Sequence, residues 1–335
     1  MELNNNLISI QNLSIAFNDN GKQHRVIDNL TFNIARGEVL GVLGESGSGK
    51  SLTALTLMHL LPPNAIIQQG KILFFDREKT IDWLSLNKRE QQAVRAKKIA
   101  MVFQEPMTSF NPIMKLGKQV AEAMTENMNL SFDVAKSKTL LLFEEVKLPD
   151  PLKIFNSYPH EVSGGQKQRV MIAMALATDP DLLIADEPTT ALDVTVQKNI
   201  LDLLRQIQRT RNLTILFISH DIGVLASISD KLMVMYQGRL IENGGVKQII
   251  QTPQHAYTKG LMACRPQLKM ERKRLPTVQD FIKGNDLPKT TIISVVDKTK
   301  PILEVKNLSV SYIKKRNIFG KPVQSFQAIK NISFS

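Results

Sequence analysis

A glycine-rich segment constrains the fold of this chain more than any other feature. Residues 44–51 read GESGSGKS, fit the pattern G-x-x-x-x-G-K-[ST], and lie between an apolar run, 38–43, and a helical pattern that starts at Lys50. Glycines let backbone N–H groups converge on phosphate oxygens, the helix N-terminus adds positive potential, and Lys50 supplies a point charge. A flexible Gly/Ser turn is the alternative, but the strand–loop–helix setting favours a phosphate-binding loop.

Strand and helix patterns alternate along the rest of the chain. Alternating or wholly apolar runs predict strands at 7–17, 26–34, 38–43, 71–75, 99–103, 182–186, 213–219 and 231–236. Helical spacing recurs at about 195–209 and 222–228. This alternation predicts an α/β domain with a largely parallel sheet. Residues 113–177, which are rich in Met, Leu, Lys and Glu, predict an inserted helical subdomain.

Positive charge is concentrated in the last part of the chain. The net charge is +12 over 335 residues, yet residues 1–264 carry 28 Lys+Arg against 26 Asp+Glu, and residues 265–335 carry 15 against 5. A uniformly basic nucleic-acid-binding domain does not show this partition, so we predict no nucleic-acid partner. The single cysteine, Cys264, excludes an intrachain disulfide and a multi-cysteine metal site.

Membrane-crossing and export signals are not evident in the sequence. Apolar runs stay short of the roughly 18 residues that cross a bilayer. The start, MELNNNLISI, lacks the basic and apolar regions of a signal peptide. These features predict a protein that stays inside the cell.

An internal repeat indicates how the chain is divided. Residues 302–312, ILEVKNLSVSY, match residues 7–17, LISIQNLSIAF, and residues 328–335, AIKNISFS, match residues 26–33, VIDNLTFN. We therefore expect a complete domain at 1–264, a basic linker at 265–301, and the truncated start of a second domain at 302–335.

Two acids follow an apolar run at residues 182–187, LLIADE. Downstream of a phosphate-binding loop, we expect Asp186 to hold Mg²⁺ and Glu187 to polarise an attacking water as general base. The hydroxyl of Ser51 would also bind Mg²⁺. A pair of surface acids is the alternative, which the upstream loop makes less favourable.

A further motif indicates which family of phosphate-binding proteins the chain resembles. Residues 162–169, VSGGQKQR, resemble the signature LSGGQ of ABC ATPases, with Val162 in place of the first Leu. Ser163 and the two glycines after it open a predicted helix that runs to about Ala177. This helix offers a second N-terminus suited to an anion, which one domain does not need for one ATP.

The resemblance to ABC ATPases runs through residues 7–263. Phe17 lies where the family has an aromatic residue that stacks on adenine, and Gln104 matches the Q-loop. Residues 190–193 match the D-loop, with Thr190 in place of the usual Ser, and His220 matches the switch histidine. These motifs follow one another in the order of the family.

The resemblance implies a fold and a set of ligands. The implied fold is that of a P-loop NTPase, an ABC ATPase domain with a RecA-like core, an antiparallel β subdomain and an inserted helical signature subdomain. The implied ligands are ATP and Mg²⁺. The residues implied to bind ATP are Phe17, Gly44, Glu45, Ser46, Gly47, Ser48, Gly49, Lys50, Ser51 and Leu52.

The resemblance also implies individual roles. Glu187, His220 and Gln104 would be catalytic, with His220 on the γ-phosphate and Gln104 linked to the membrane partner. Mg²⁺ would be held by Ser51, Gln104 and Asp186. In a head-to-tail dimer, Asp193 would lie at the seam, and the opposite site would be completed by Ser163, Gly164, Gly165 and Gln166.

Other segments resemble the dipeptide, oligopeptide and nickel importer branch of the family. They are FQEPMTSFNP at 103–112, ADEPTTALDVTVQ at 185–197 and HAYTKGLMACRP at 255–266. The resemblance implies integral-membrane permease subunits and a substrate-binding protein as partners. It also implies a second ABC domain, supplied by a missing C-terminal half, a second copy or a paralogue. The chain would then lie peripherally on the cytoplasmic face of the inner or plasma membrane.

Two alternatives remain open at this point. One is a soluble tandem ABC ATPase that acts on ribosomes or nucleic acid, although Pro266, Pro276, Pro288 and Pro301 interrupt the long helical linker expected of such a protein. The other is a non-functional truncated half-tandem. Among the remaining residues, His59 and His255 lack metal-ligand spacing, and Trp83 is expected to be a packing residue.

Overall fold

The computed structural model describes residues 5–19, 21–76, 79–103, 109–190, 192–264, 277–284, 301–316 and 322–335. The chain divides into two compact units. The first comprises residues 1–265 with 276–287, and the second comprises 266–275 with 288–335. Among the described residues, none of the helices has the length and apolar character needed to cross a bilayer.

A six-stranded sheet forms the centre of the first unit. Its strands, in spatial order, are β10 (Arg239–Gly245), β9 (Lys231–Tyr236), β3 (Val39–Leu43), β8 (Thr214–Ser219), β7 (Leu182–Asp186) and β6 (Ile99–Val102). All neighbours are parallel except β10, which pairs antiparallel with β9. Every residue of β3, β7 and β8 is buried, because helices or the second sheet cover both faces. The predicted α/β fold is confirmed.

A second, antiparallel sheet packs on the first. Its strands, in spatial order, are β2 (Lys22–Ala35), β1 (Asn6–Asp19), β4 (Ala65–Phe75) and β5 (Thr80–Asp82). The apolar residues that alternate along β1 and β2 form a hydrophobic cluster with residues of β3, β7 and β8. This packing places the aromatic end of β1 beside the loop that follows β3.

Helices account for most of the remaining described chain. In the first unit they are α1 (Lys50–Leu57), α2 (Lys88–Lys97), α3 (Leu116–Met128), α4 (Phe132–Glu145), α5 (Pro151–Asn156), α6 (Gly164–Leu176), α7 (Val194–Arg211), α8 (Ile222–Ile228), α9 (Val246–Gln251), α10 (Ala256–Ala263) and α11 (Val278–Ile282). Helices α3 to α6 lie within the segment predicted to be a helical subdomain. Their packing is so close that a Cβ on Gly117 would overlap the ring of Phe155.

Helix α11 differs from the expectation of a linker at 265–301. Residues 276–287 belong to the first unit, and a Cβ on Gly260 of α10 would lie 3.1 Å from the Cα of Val278. Asp280 caps this helix by accepting hydrogen bonds from the backbone N–H and the hydroxyl of Thr277, each at 2.8 Å. The basic composition of the surrounding segment predicted a linker, whereas the structure has a short capped helix with one face packed on α10.

The described part of the second unit is a hairpin of β11 (Val305–Arg316) and β12 (Pro322–Phe334). Its backbone reproduces an irregularity of β1 and β2. In the first sheet, Asn12 N donates to Thr31 Oγ1 and Asn29 N to Ser14 Oγ, at 2.9 and 3.0 Å.

In the hairpin, Asn307 N donates to Ser333 Oγ and Asn331 N to Ser309 Oγ, at 2.9 and 3.0 Å. The four asparagines that make these bonds have a positive φ, between 49° and 53°. The repeated sequence thus forms the same bulged hairpin in both units, which supports a proposal that residues 302–335 begin a second domain of the same kind.

Trp83 is fully buried and does pack as expected. Its Nε1 donates to the carbonyl of Leu57 at 2.9 Å, and its ring stacks on His59 with centroids 5.2 Å apart. The Nε2 of His59 is buried without a hydrogen-bond partner. Burial, aided by the nearby charge of Arg95, lowers the pKa of His59 from 6.5 to about 4.

We expect His59 to make the stability of the fold depend on pH. A histidine with a lowered pKa in the folded state stabilises the fold fully above pH 6.5, and this contribution is lost as the pH falls towards about 4. His59→Phe keeps a ring against Trp83 but binds no proton. The slope of the unfolding free energy against pH in this window should therefore decrease by at most about 1.4 kcal/mol per pH unit. Urea denaturation of both proteins at a series of pH values measures it, and equal slopes would contradict the prediction.

Candidate functional site

The glycine-rich loop connects the end of β3 to the start of α1, as predicted. Gly47 and Gly49 have φ values of 79° and 102°, which other residues rarely adopt. A Cβ on Gly49 would also lie 2.5 Å from the Cδ1 of Ile27. The loop therefore needs glycine at Gly49 for two reasons, its backbone conformation and its contact with β2.

Lys50 folds back into the loop that precedes it. Its Nζ donates to the carbonyl oxygens of Gly44 and Glu45, each at 2.8 Å, and only 6% of the residue is exposed. Burial lowers the pKa of Lys50, while the carboxylates of Glu187 and Asp186 act in the opposite direction. An ammonium group is thus held at the base of the loop, close to two acids.

An open cleft of about 470 Å³ lies over this loop. It is lined by Phe17, Val26, Ser46, Gly47, Gly49, Lys50, Ser51, Leu52, Glu187 and His220. The cleft therefore brings together the predicted aromatic residue of β1, most of the loop, and residues that follow β7 and β8. Gly44, Glu45 and Ser48 belong to the loop but do not line the cleft, and Ser48 is only 4% exposed.

Val26 was not among the residues predicted from the sequence. It lines the cleft because β2 pairs with β1 and runs past the loop. In the sequence it is one of several apolar residues in a strand, so no local pattern distinguishes it from a core residue.

Glu187 and His220 are in direct contact. The Nδ1 of His220 lies 2.9 Å from the Oε1 of Glu187, and the hydroxyl of Thr190 donates to the Oε2 of Glu187 at 3.0 Å. Glu187 has a left-handed backbone, with φ 47°, and its N–H donates to the carbonyl of Ile218 at 3.0 Å. This conformation is unfavourable for a residue with a side chain and turns the chain sharply at the end of β7.

Asp186 and Ser51 supply neighbouring oxygen atoms. The Ser51 side chain is hydrogen-bonded to the carboxylate of Asp186, which is 8% exposed. Burial raises the pKa of Asp186, and the adjacent charge of Glu187 acts in the same direction. A buried carboxylate beside a hydroxyl and a second carboxylate is a donor set that fits Mg²⁺, which prefers oxygen ligands.

The signature motif lies outside the cleft of its own chain. Ser163 caps α6: its hydroxyl accepts from Gln166 N at 3.3 Å, and the Gln166 side chain accepts from Ser163 N at 2.9 Å. A Cβ on Gly165 would lie 2.8 Å from Val196 of α7, whereas Gly164 is exposed and has only Leu192 nearby, at 3.9 Å. Gly165 is therefore required for packing within the chain, and Gly164 is not.

Of two further residues predicted from the sequence, Asp193 and Gln104, the structure describes Asp193. Asp193 caps α7, since its Oδ1 accepts from Val196 N at 2.9 Å. Asp193 therefore stabilises the start of α7 in this chain, in addition to its proposed place at a dimer seam. Gln104 lies outside the described residues.

Comparison with known proteins identifies relatives that match nearly the whole chain. Residues 27–190 match the family model described as ABC transporter. The glutathione import ATP-binding protein GsiA of Escherichia coli (strain K12) is 40% identical over 336 residues, which are 98% of this chain and 54% of that protein. Its counterpart of the same name in Pectobacterium atrosepticum is 39% identical over 337 residues, with the same coverage. The chain therefore spans about half the length of these curated relatives.

Solved structures share the fold. The dimeric structure of MJ0796, described as a bacterial ABC transporter cassette, has a TM-score of 0.63 and 25% identity, and covers 71% of this chain and 98% of its own. The structure of cbiO1 from Clostridium perfringens, described as part of the ABC transporter complex cbiONQ, has a TM-score of 0.64 and 27% identity, and covers 74% and 92%. The matched family model, the relatives and the shared cassette fold together show that the chain belongs to the ABC transporter family.

Proposed function

We propose that this chain binds ATP with Mg²⁺ and hydrolyses it to drive import through a membrane transporter. One observation carries the proposal: a single cleft joins the phosphate-binding loop, an aromatic residue and the Glu187–His220 pair. The loop and the pair lie at the carboxyl ends of adjacent parallel strands, where ligands bind in open α/β sheets. A second solved structure of MJ0796 is described as a post-hydrolysis state bound to ADP and Pi.

The residues of the cleft have different roles in the proposed phosphoryl transfer. Phe17 offers a ring for the adenine base, and the loop amides with Lys50 bind the phosphates. Glu187 accepts a hydrogen bond from the attacking water and draws its proton away as the water approaches the γ-phosphate. His220 holds the carboxylate of Glu187 in place through its Nδ1 and can turn its other ring nitrogen towards the γ-phosphate.

Mg²⁺ would be held by Ser51 and Asp186, together with oxygens of the nucleotide. When bound, Mg²⁺ neutralises charge that develops on the phosphate oxygens. Gln104 remains proposed as a further ligand on the strength of the Q-loop resemblance alone.

The signature residues would complete the cleft of another ABC domain. In this chain Ser163, Gly164 and Gln166 open α6 away from the cleft, so the positive end of this helix is open to a nucleotide bound elsewhere. The MJ0796 cassette was solved as a dimer. We propose a head-to-tail dimer with a second ABC domain, from this protein, a second copy or a paralogue.

The transported solute is proposed from the relatives. They are named glutathione import ATP-binding proteins, and glutathione is a short peptide. We propose a small peptide as solute, permease subunits and a substrate-binding protein as partners, and a peripheral position on the cytoplasmic face of the membrane. No finding favours the alternatives of a ribosome-associated factor or an inactive fragment.

Replacing Glu187 by Gln is expected to separate binding from turnover. Glu187→Gln keeps the size of the side chain and one of its two oxygen acceptors, but its carboxamide cannot take up a proton. We expect ATP affinity to stay within about twofold of the original while the ATPase rate falls by at least about 100-fold. Phosphate release and equilibrium titration with ATP measure the two quantities. Glu90→Gln, at the cap of α2, is the control, and normal hydrolysis by Glu187→Gln would refute the general-base role.

Replacing Ser51 by Ala is expected to weaken the contribution of Mg²⁺. We expect the ratio of ATP affinities with Mg²⁺ and with EDTA to fall about tenfold, or ~1.4 kcal/mol, because one oxygen ligand is lost. Ser46→Ala is a matched control, since Ser46 lines the same cleft, whereas the serine bonded to Asp186 is Ser51. An unchanged ratio in Ser51→Ala would exclude Ser51 as a ligand.

A nucleotide site formed by the loop of one domain and the signature of another predicts complementation between two inactive variants. Gly164→Asp places a negative charge at the signature with room for the side chain, and Lys50→Ala disables the loop. Each protein alone should lack ATPase activity. A mixture should regain part of it, because a mixed dimer has one site with an intact loop and an intact signature. If the mixture remains as inactive as its components, with dimerisation verified, the trans arrangement is wrong.

A further inference from the structure

One peptide group at the start of the phosphate-binding loop is held at both ends. The peptide between Gly44 and Glu45 accepts a hydrogen bond from the Nζ of Lys50 at its carbonyl, at 2.8 Å. Its N–H donates to the hydroxyl of Tyr257, at 3.0 Å. The orientation of this peptide plane therefore couples the Tyr257 hydroxyl to the Lys50 ammonium group.

Tyr257 comes from helix α10, far along the chain from the loop. It is fully buried, and its ring lies against that of Tyr236, with centroids 4.2 Å apart. Burial raises the pKa of Tyr257 to about 12, so the hydroxyl stays neutral and can accept the hydrogen bond throughout the ordinary pH range.

The helix that carries Tyr257 is anchored to the sheet. The carboxylate of Glu242, on β10, accepts hydrogen bonds from Gln254 N at 2.8 Å and from His255 N at 3.2 Å. The Nδ1 of His255 then caps α10 by accepting from Tyr257 N at 3.1 Å. These bonds fix the first turn of α10, and with it the direction of the Tyr257 side chain.

A neighbouring contact supports the middle of the loop. Gly238, in the turn between β9 and β10, donates its N–H to the carbonyl of Ser48 at 3.1 Å. A Cβ on Gly44 would lie 2.5 Å from the carbonyl oxygen of Met235. The turn and β9 thus limit where the loop can move, and the Tyr257 hydroxyl contacts its first peptide through one hydrogen bond.

We propose that Tyr257 is a positioning residue for phosphate binding, which sets the Gly44–Glu45 peptide and through it the place of the Lys50 ammonium group. The proposal rests on the proposed nucleotide-binding function of the cleft. It gives a role to the segment 255–266, whose described residues, 255–264, follow the last strand of the six-stranded sheet and are not among those that line the cleft. Tyr257 itself does not touch the nucleotide.

The test compares two phenylalanine substitutions by calorimetric titration with ATP and Mg²⁺. Tyr257→Phe keeps the buried ring but leaves Glu45 N without its acceptor. We expect a threefold to tenfold rise in Kd, about the worth of one hydrogen bond, with the number of binding sites per chain unchanged. Tyr236→Phe is the matched control, because its hydroxyl pairs with the side chain of Gln237 and not with the loop. We expect its Kd to equal that of the original protein.

Several outcomes would overturn the proposal. If Tyr257→Phe binds ATP as tightly as Tyr236→Phe, the hydroxyl does not position the loop. If Tyr257→Phe instead lowers the number of binding sites with an unchanged Kd, its role is structural. Failure of the unmodified protein to bind ATP would refute the proposed function itself, which the first titration shows before any variant is made.

A second variant guards against misfolding of Tyr257→Phe. Glu242→Gln weakens the anchor of α10 at a half-buried residue of β10 and leaves the Tyr257 hydroxyl in place. We expect a smaller rise in Kd, about twofold to threefold, because one neutral oxygen replaces the two charged oxygens that accept from Gln254 N and His255 N. An unchanged Kd in a folded Glu242→Gln protein would break the proposed connection from β10 to the loop.

Discussion

The burial of the Lys50 ammonium group is the interaction on which the rest of the site depends. Removing a charge from water is costly unless partners replace the lost hydration. Here two loop carbonyls accept hydrogen bonds from its Nζ at 2.8 Å, and the carboxylates of Asp186 and Glu187 lie near enough to favour its charged form. The loop must therefore keep one conformation, which explains its glycines, its support by the Gly238 turn and its contact with Tyr257.

The parallel sheet brings the catalytic candidates to one edge. Strand β3 pairs with β8, and β8 with β7, so their carboxyl ends lie side by side. The loop, His220 and the Asp186–Glu187 pair each follow one of these ends. Long helical segments separate them in the sequence, but the sheet spacing of about 5 Å between strands brings them within contact distance.

The first two strands of each unit are joined by the same kind of hydrogen-bonded bulge. Asparagines with positive φ allow a bulge in each pair of strands. Hydroxyl groups from the opposite strand then accept hydrogen bonds from the backbone N–H groups of these asparagines. In the first unit, β4 pairs with β1 and the large apolar residues of the hairpin are buried. In the second unit, Leu308 and Ile332, which correspond to the buried Leu13 and Leu30, are 41% and 46% exposed. The same local sequence therefore forms the hairpin, and burial of its face depends on neighbouring elements.

The sequence alone determined the fold class and most of the cleft, because phosphate binding requires glycines and a lysine at fixed spacing and parallel strands require apolar runs. It could not identify contacts that depend on distant chain segments. Val26, the Glu187–His220 hydrogen bond, the Gly165–Val196 packing and the Tyr257 bond to the loop join residues with no shared local pattern. The short helix at 278–282 was likewise missed, since its packed face is visible only against α10. These features were decided by the tertiary structure, because strand order and helix packing select which distant groups meet.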